Sequence, residues 1–476
     1  MATTELDPRR WLALAVVGTA FFMTILDVSI VNVALPTIGR KLHFSEGNLQ
    51  WVVTAYALTF GGFLLLGGRA ADLLGRRRVF MVGVGLFSLA SLVCGLASSD
   101  TVLITARAVQ GLGGAIISPA ALSIVSTTFT EGAERNKALG IWGALGGSGA
   151  AVGVLLGGVL TKYAGWEWIF FVNVPVGALV LAAAPRIVRE SRVEKEVRRY
   201  DPVGAITITG GLALLVYAVS KAPFVGWVTT RTILLLAASA ALVAAFLVIE
   251  RRVREPLLPF DIFRTRTVAG ANIVGFLLGA VLFANFFVLT LYVQNVLHYS
   301  ALKAGVTFVA TAGTAVIAAG VSQALVTRVG VKPILSLGLV LLTAGMVWYT
   351  RIPVHGHYGS DLLPGYLLVG VGIAFSYVPV SIAALAGVAP NEAGLASGLI
   401  NTAQQIGGAI GVALCSTVFT THFDHNPFTP QLLTDGYALA FWVTVAFGVA
   451  AFLATLFFIR REELVQVPGA APATAD

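Results

Sequence analysis

Fourteen mostly apolar stretches most restrict how this 476-residue chain can fold. Each is near the roughly 20 residues that a helix needs to cross the hydrocarbon core of a bilayer, about 30 Å thick. They cover residues 11–35, 49–67, 79–97, 101–127, 138–160, 168–184, 202–220 and 232–249, then 268–297, 305–326, 333–349, 362–389, 393–420 and 437–459. Charges, prolines or glycine clusters separate them. Only 11% of the residues are charged and 57% are hydrophobic, against about 25% and 45–50% in soluble domains. Too few charges remain to cover a water-facing surface. An ordinary soluble enzyme, a disordered chain and a disulfide scaffold are thereby excluded, and Cys94 and Cys415, both inside apolar runs, read as small packing residues. The expected fold is an all-α polytopic membrane protein with fourteen transmembrane helices. An even number places both termini on one side.

Loop charge predicts which side. With the N-terminus in the cytoplasm, the inner segments carry 23 Lys and Arg and the outer loops seven, with Arg107 inside a span. That threefold bias follows the positive-inside rule. The net charge of +8 is then accounted for by contact with anionic inner-leaflet lipid, and no nucleic-acid partner is needed. The first apolar stretch has no small-residue cleavage site before the next span, so it reads as a retained helix. Abundant Ala, Gly and Arg fit a bacterial source, and the expected location is the bacterial plasma (inner) membrane.

The longest charged inner loops, 186–201 and 250–266, bracket spans 7 and 8. The chain thus divides into a six-helix bundle (1–190), an inserted pair with its flanking loops (191–266), a second six-helix bundle (267–461) and a disordered cytoplasmic tail (462–476). Internal echoes support the division. The span 2–3 loop, from Gly68 through Asp72 and Gly75 to Arg76, Arg77 and Arg78, has a shorter counterpart in Thr327 to Lys332, with Thr327 in the place of Asp72. Gly149, Gly153 and Gly157 in span 5 are four apart, as are Gly394 and Gly398, and Gly407 and Gly411, in span 13. Such spacing keeps small residues on one helix face and permits close backbone approach. Static packing and sliding of two halves both use that pattern.

Four stretches carry a family resemblance. Leu26-Asp27-Val28-Ser29-Ile30-Val31-Asn32-Val33-Ala34-Leu35-Pro36 resembles the first-helix motif of the 14-helix drug:proton antiporters of the major facilitator superfamily. Gly68 to Arg78 is similar to that superfamily's helix 2–3 loop motif, and Arg107-Ala108-Val109-Gln110-Gly111-Leu112-Gly113-Gly114 to its helix 4 motif. Gly149, Gly153, Gly157 and Gly158 resemble the antiporter motif of helix 5, which is followed here by Trp166-Glu167-Trp168-Ile169-Phe170-Phe171-Val172-Asn173-Val174-Pro175. Val154 stands where that motif carries proline, so no proline bend is expected there. The resemblance implies a 6 + 2 + 6 major facilitator fold that opens alternately to either side, with a charge latch of Gly68, Asp72, Gly75, Arg76 and Arg77 closing the cytoplasmic side.

Asp27 and Arg107 are the two ionisable residues far from a span end. A charge at mid-membrane costs roughly 2.5–3.5 kcal/mol even on the lenient insertion scale. Both count from the outer face at overlapping depths, so a pair across the bundle is possible. In the functional reading Asp27 takes up a proton and Arg107 tunes it; in the alternative they are a fixed ion pair. The proton gradient is then the energy source and no cofactor is required. Candidate contacts for a small amphipathic substrate are Phe22, Asn32, Tyr56 and Trp142 in the first half. In the second they are Asn285, Phe286, Tyr292, Gln294, Tyr377, Asn401 and Gln405, where aromatic faces and a few polar groups suit a mostly apolar ligand. No acid sits mid-span in the second half, which favours monocations, neutral amphiphiles or zwitterions over dications. The six histidines fall in outer loops or at outer helix ends and read as solvated, with no metal site. The expected function is proton-coupled export of drugs or antibiotic-like metabolites by a monomer. A lipid or lipid-precursor flippase and a proton-coupled nutrient symporter stay open because of Val154. A membrane-embedded transferase lacks clustered catalytic residues, and no phosphate-binding loop is present for ATP.

Overall fold

The computed structural model describes residues 8–44, 49, 51–129, 133–191, 202–253, 256, 258, 260–388, 393–422 and 429–460. The expected tail at 462–476, His425 and most of the 186–201 loop lie outside them. Among the described residues the chain forms fourteen long helices and no strand. The first bundle holds α1 (Arg10–Lys41), α2 (Trp51–Leu74), α3 (Arg76–Gly95), α4 (Asp100–Thr128), α5 (Ala133–Tyr163) and α6 (Trp168–Ile187). The inserted pair is α7 (Pro202–Val225) and α8 (Thr230–Glu250), followed by α9 (Arg266–Asn295), α10 (Ala301–Val329), α11 (Val331–Tyr349), α12 (Leu363–Ala384), α13 (Ala393–His422) and α14 (Pro430–Phe458). Eleven are long and apolar enough to cross a membrane, and α2 makes a twelfth if its halves, bent by 50°, count as one span. The two beyond that set are α5 and α13, the glycine-striped helices. They run for 31 and 30 residues.

Local chemistry differs at the two ends of the bundle. On the face opposite the described chain ends, hydroxyls cap four of the helices that start there: Ser99, Thr229, Ser300 and Thr429 accept from Val102, Thr232, Lys303 and Leu432, satisfying N–H groups that the first turn leaves unpaired. On the terminal face, α2 passes to α3 through Gly75 alone and α10 to α11 through Gly330 alone. Both glycines have positive φ, 106° and 91°, a region that other residues adopt at a cost. The echo between the two loops is therefore a shared one-residue turn.

The two bundles repeat one packing scheme. α1 packs on α5 and α6, α2 on α4, and α3 on α4 and α6; in the second bundle α9 packs on α13 and α14, α10 on α12, and α11 on α12 and α14. Glycines set the closest crossings. A Cβ at Gly149 or Gly157 would press on Ile25 or Ile30 of α1, and one at Gly407 or Gly411 on Phe276 or Ala280 of α9. The spaced glycines of α5 thus fasten α5 to α1 inside the first bundle. The seam between bundles is made by α5 against α10 and α12, and by α2 and α4 against α13. Gly140, Gly143, Gly146 and Gly158 face Gln323, Val378, Tyr377 and Leu302 across it. Val154 is buried there against Gly305. The inserted helix α7 rests on both α2 and α13, and α8 packs on α7.

Candidate functional site

A polar cluster built by five helices lies inside the first bundle. Asp27 of α1 is fully buried and Arg107 of α4 is 1% exposed. Arg107 Nη1 donates to Asp27 Oδ2 at 2.5 Å and to Gln110 Oε1 at 2.6 Å, while its Nε donates to the Val52 carbonyl at 2.9 Å. The Tyr56 ring of α2 lies 4.3 Å from the guanidinium carbon, a cation–π contact strengthened by exclusion of water. Asp27 Oδ1 accepts from Gln110 Nε2 at 2.8 Å and from Asn173 Nδ2 of α6 at 3.0 Å. Both amides also donate to Ser91 Oγ of α3, at 2.7 and 3.4 Å. The Cys94 thiol donates to Gln110 Oε1 at 3.7 Å. A carboxylate with one cation and two amide donors has most of its acceptor capacity filled, which is what makes a buried charge tolerable.

The pairing of Asp27 with Arg107 was legible from the sequence; Gln110, Asn173, Ser91 and Cys94 were not singled out for it. Gln110 had a signal, since three-residue spacing from Arg107 puts it on the same helix face. Asn173 stands in the quoted stretch that ends at Pro175. Cys94, read as a packing residue, touches the cluster's edge. Tyr56, which the sequence offers as a substrate contact, is buried at 2% exposure over Arg107 and lies in this cluster.

The other substrate candidates separate into two groups. Tyr377 and Asn401 meet the bundle seam. Tyr377 packs at Gly146 and directs its hydroxyl toward Gln404 Oε1 at 3.5 Å, and Asn401 Oδ1 accepts from Ser118 of α4 at 3.3 Å. Phe22 is half-buried beside Gly149, and Trp142 is buried in a 3.8 Å ring stack on Phe21. Phe286 and Gln294 are half-buried, as is Gln405, and Phe286 leans on Phe308. Asn32 is exposed and donates to the Val28 carbonyl. Asn285 is buried, with no hydrogen-bond partner for its Oδ1 among the described residues. Tyr292 is fully buried within the second bundle, donating to the Pro353 carbonyl at 2.6 Å. A groove of about 430 Å³ on the flank between α3 and α4 is lined by apolar side chains such as Leu86, Val93 and Val109; its lining includes no polar side chain of the cluster. Among the described residues no three His, Cys, Asp or Glu side chains converge as a metal site would require.

A second polar knot ties the bundles on the terminal face. Asp72 Oδ1, fully buried, accepts from Arg76 Nη2 at 2.8 Å and Nε at 3.1 Å. Its Oδ2 accepts from the backbone N–H of Leu395 at 3.1 Å. Leu395 is the third residue of α13, so a carboxylate of the first bundle caps a helix N-terminus of the second, where the helix dipole favours negative charge. Arg76 Nε also reaches Ser123 Oγ at 2.7 Å. Glu190 was not anticipated: it accepts from the backbone N–H groups of Arg77 and Arg78 at 3.1 and 3.2 Å. A Cβ at Gly75 would lie 2.8 Å from its carboxylate. Gly68 is buried in α2.

Comparison with known proteins agrees with this architecture. The model of the Major Facilitator Superfamily matches residues 17–412. The chain is 40% identical over 480 residues to the puromycin resistance protein pur8 of Streptomyces alboniger, covering 98% of this chain and 95% of that one. It is 38% identical over 444 residues to the cephamycin export protein CmcT of Amycolatopsis lactamdurans, covering 93% and 90%. The crystal structure of the human organic anion transporter MFSD10 (TETRAN) superposes with a TM-score of 0.67 at 15% identity, over 94% of this chain and 100% of that one, and so shares the fold. A multi-pass helical membrane protein with two repeated bundles and a match across most of its length, the chain belongs to the major facilitator superfamily.

Proposed function

We propose that this protein exports amphipathic, antibiotic-like molecules, driven by protons moving the other way. The reading rests on one observation: a carboxyl sealed in the interior of a membrane bundle and held by a guanidinium. A buried ionisable residue in a membrane span is functional by default. The names of the relatives, for puromycin resistance and cephamycin export, support the cargo class. The terminal face is cytoplasmic, because it carries most of the Lys and Arg. Asp72, Arg76 and the start of α13 then close the cytoplasmic side while cargo leaves to the outside. Asp27 gains and loses its proton as the bundles rock, and the seam residues Tyr377 and Asn401 contact cargo. One copy holds both bundles and the seam, so a monomer suffices.

Purified protein in vesicles with an imposed pH gradient tests this, with puromycin and ethidium as probes. Probe should move against proton flow and stop when the gradient is collapsed. Movement of the probe with the protons, or movement insensitive to the gradient, would refute the scheme. The latch has its own test. Asp72→Ala removes the cap on α13 and the partner of Arg76. A hydrogen bond to a charged group contributes about 1.5–3 kcal/mol, so the closed state loses roughly ten- to hundredfold in population. Turnover should fall by that order while the half-saturating probe concentration stays put. A changed affinity with normal turnover would contradict the latch.

A further inference from the structure

We propose that Asn173 is a positioning residue for the proton-carrying carboxyl, setting the proton affinity of Asp27 through its side-chain amide; this rests on the proton-coupling reading above. Three elements of the structure point to it. First, Asn173 lies in the opening turns of α6, directly after Val172, whose backbone is helical and whose N–H donates to the Trp168 carbonyl. Asn173 is 1% exposed and faces the cluster. Second, its Nδ2 reaches Asp27 Oδ1 at 3.0 Å and Ser91 Oγ at 3.4 Å. The same two acceptors receive Gln110 Nε2, so Asp27 Oδ1 lies between two amides. Third, α6 is pinned one turn later: a Cβ at Gly177 would lie 2.9 Å from Ser88 Cβ of α3. The amide is therefore carried on a rigid support, as a precise site requires.

An amide stays uncharged at every working pH, yet each N–H aimed at a carboxylate favours its ionised form. Asn173 thus biases Asp27 without titrating itself. The charged and titratable groups around Asp27 are Arg107 from α4, Tyr56 from α2 and Cys94 from α3, while α5 presents glycine and α6 the amide. Gln110 also holds the guanidinium through its Oε1, so changing it disturbs two partners. The Asn173 amide donates to Asp27 and Ser91. Asn173 is therefore the position at which the carboxyl can be retuned with Arg107 left in place.

The test reads protonation directly. Purified protein in lipid nanodiscs is titrated while difference infrared spectra follow the carbonyl stretch of protonated carboxyls, with Asp27→Asn identifying the Asp27 band. In Asn173→Ala the band should appear at a pH higher by about one to two units, a ten- to hundredfold rise in proton affinity. Asn173→Ser, which restores a donor, should recover part of that shift. Thermal unfolding verifies that each variant is folded. Where Asn173→Ala fails to accumulate, Asn173→Leu keeps the side chain's size, removes the donor without adding a second carboxyl and should shift the band in the same direction. A band that stays within a few tenths of a unit in a folded variant overturns the inference. If no wild-type band disappears in Asp27→Asn, the proton-coupling reading itself fails, and the inference falls with it.

Discussion

Asp27→Asn is expected to abolish proton-driven export while the protein still folds and inserts. The substitution keeps the size of the side chain and an oxygen that can accept from Arg107 Nη1, the closest contact of the cluster. It removes the carboxyl to which the proposed proton exchange is assigned. One charge crossing about 100 mV is worth about 2.3 kcal/mol, so each coupled proton supports roughly a fiftyfold concentration ratio, and the variant should lose all of it. Facilitated movement of probe down its own gradient can persist. Arg107 loses its counter-charge but keeps Gln110 Oε1, the Val52 carbonyl and the Tyr56 ring around it, so the variant should melt lower than the wild type yet remain folded. Efflux from energised cells lacking their own pumps, with membrane levels checked by size-exclusion profile, provides the measurement. Wild-type efflux from Asp27→Asn would end the assignment of this carboxyl.

Arg107→Met should harm the fold as well as transport. Its guanidinium is the cation beside a fully buried carboxyl, and removing one partner of a buried ion pair typically costs 3–5 kcal/mol. Two amides still donate to Asp27 Oδ1, but no cation replaces the lost one. The melting temperature in detergent should fall clearly, and transport should fail. The double variant Asp27→Asn with Arg107→Met has no unpaired charge, so it should regain most of the lost stability and none of the coupled transport. A thermodynamic cycle over the four proteins separates the two roles. Additive stability losses, with no recovery in the double variant, would mean that the pair is not coupled in the folded protein.

Particular residues show how far the amino-acid order reached. Each apolar run falls on one of the long helices formed among the described residues, eleven or twelve of them candidate membrane spans, because a backbone in lipid must satisfy its own hydrogen bonds and only a helix does so within one segment. Asp27 and Arg107 stood out because charge is expensive at that depth. The glycine spacing in α5 pointed to close packing, but not to its partner. Gly149 and Gly157 meet α1 within the first bundle, whereas Gly143 and Gly158, on another face of the same helix, meet the second. Periodicity names a face; it does not say what lies across from it.

Tyr56 and Asn173 mark the same limit. A tyrosine in a membrane span is equally able to line a cavity or to lie over a cation, and only the approach of α2 to α4 placed this ring on Arg107. An asparagine 146 residues from Asp27 in sequence reaches the carboxylate because α6 packs on α1. The chain's order alone determined that there would be helices in lipid, where they would run, and which two charges would need each other, since those follow from local hydrophobicity and the cost of burying charge. The tertiary structure alone decided which neutral groups complete the carboxylate's shell and which helix end Asp72 caps, because hydrogen bonds between distant segments depend on how whole helices cross.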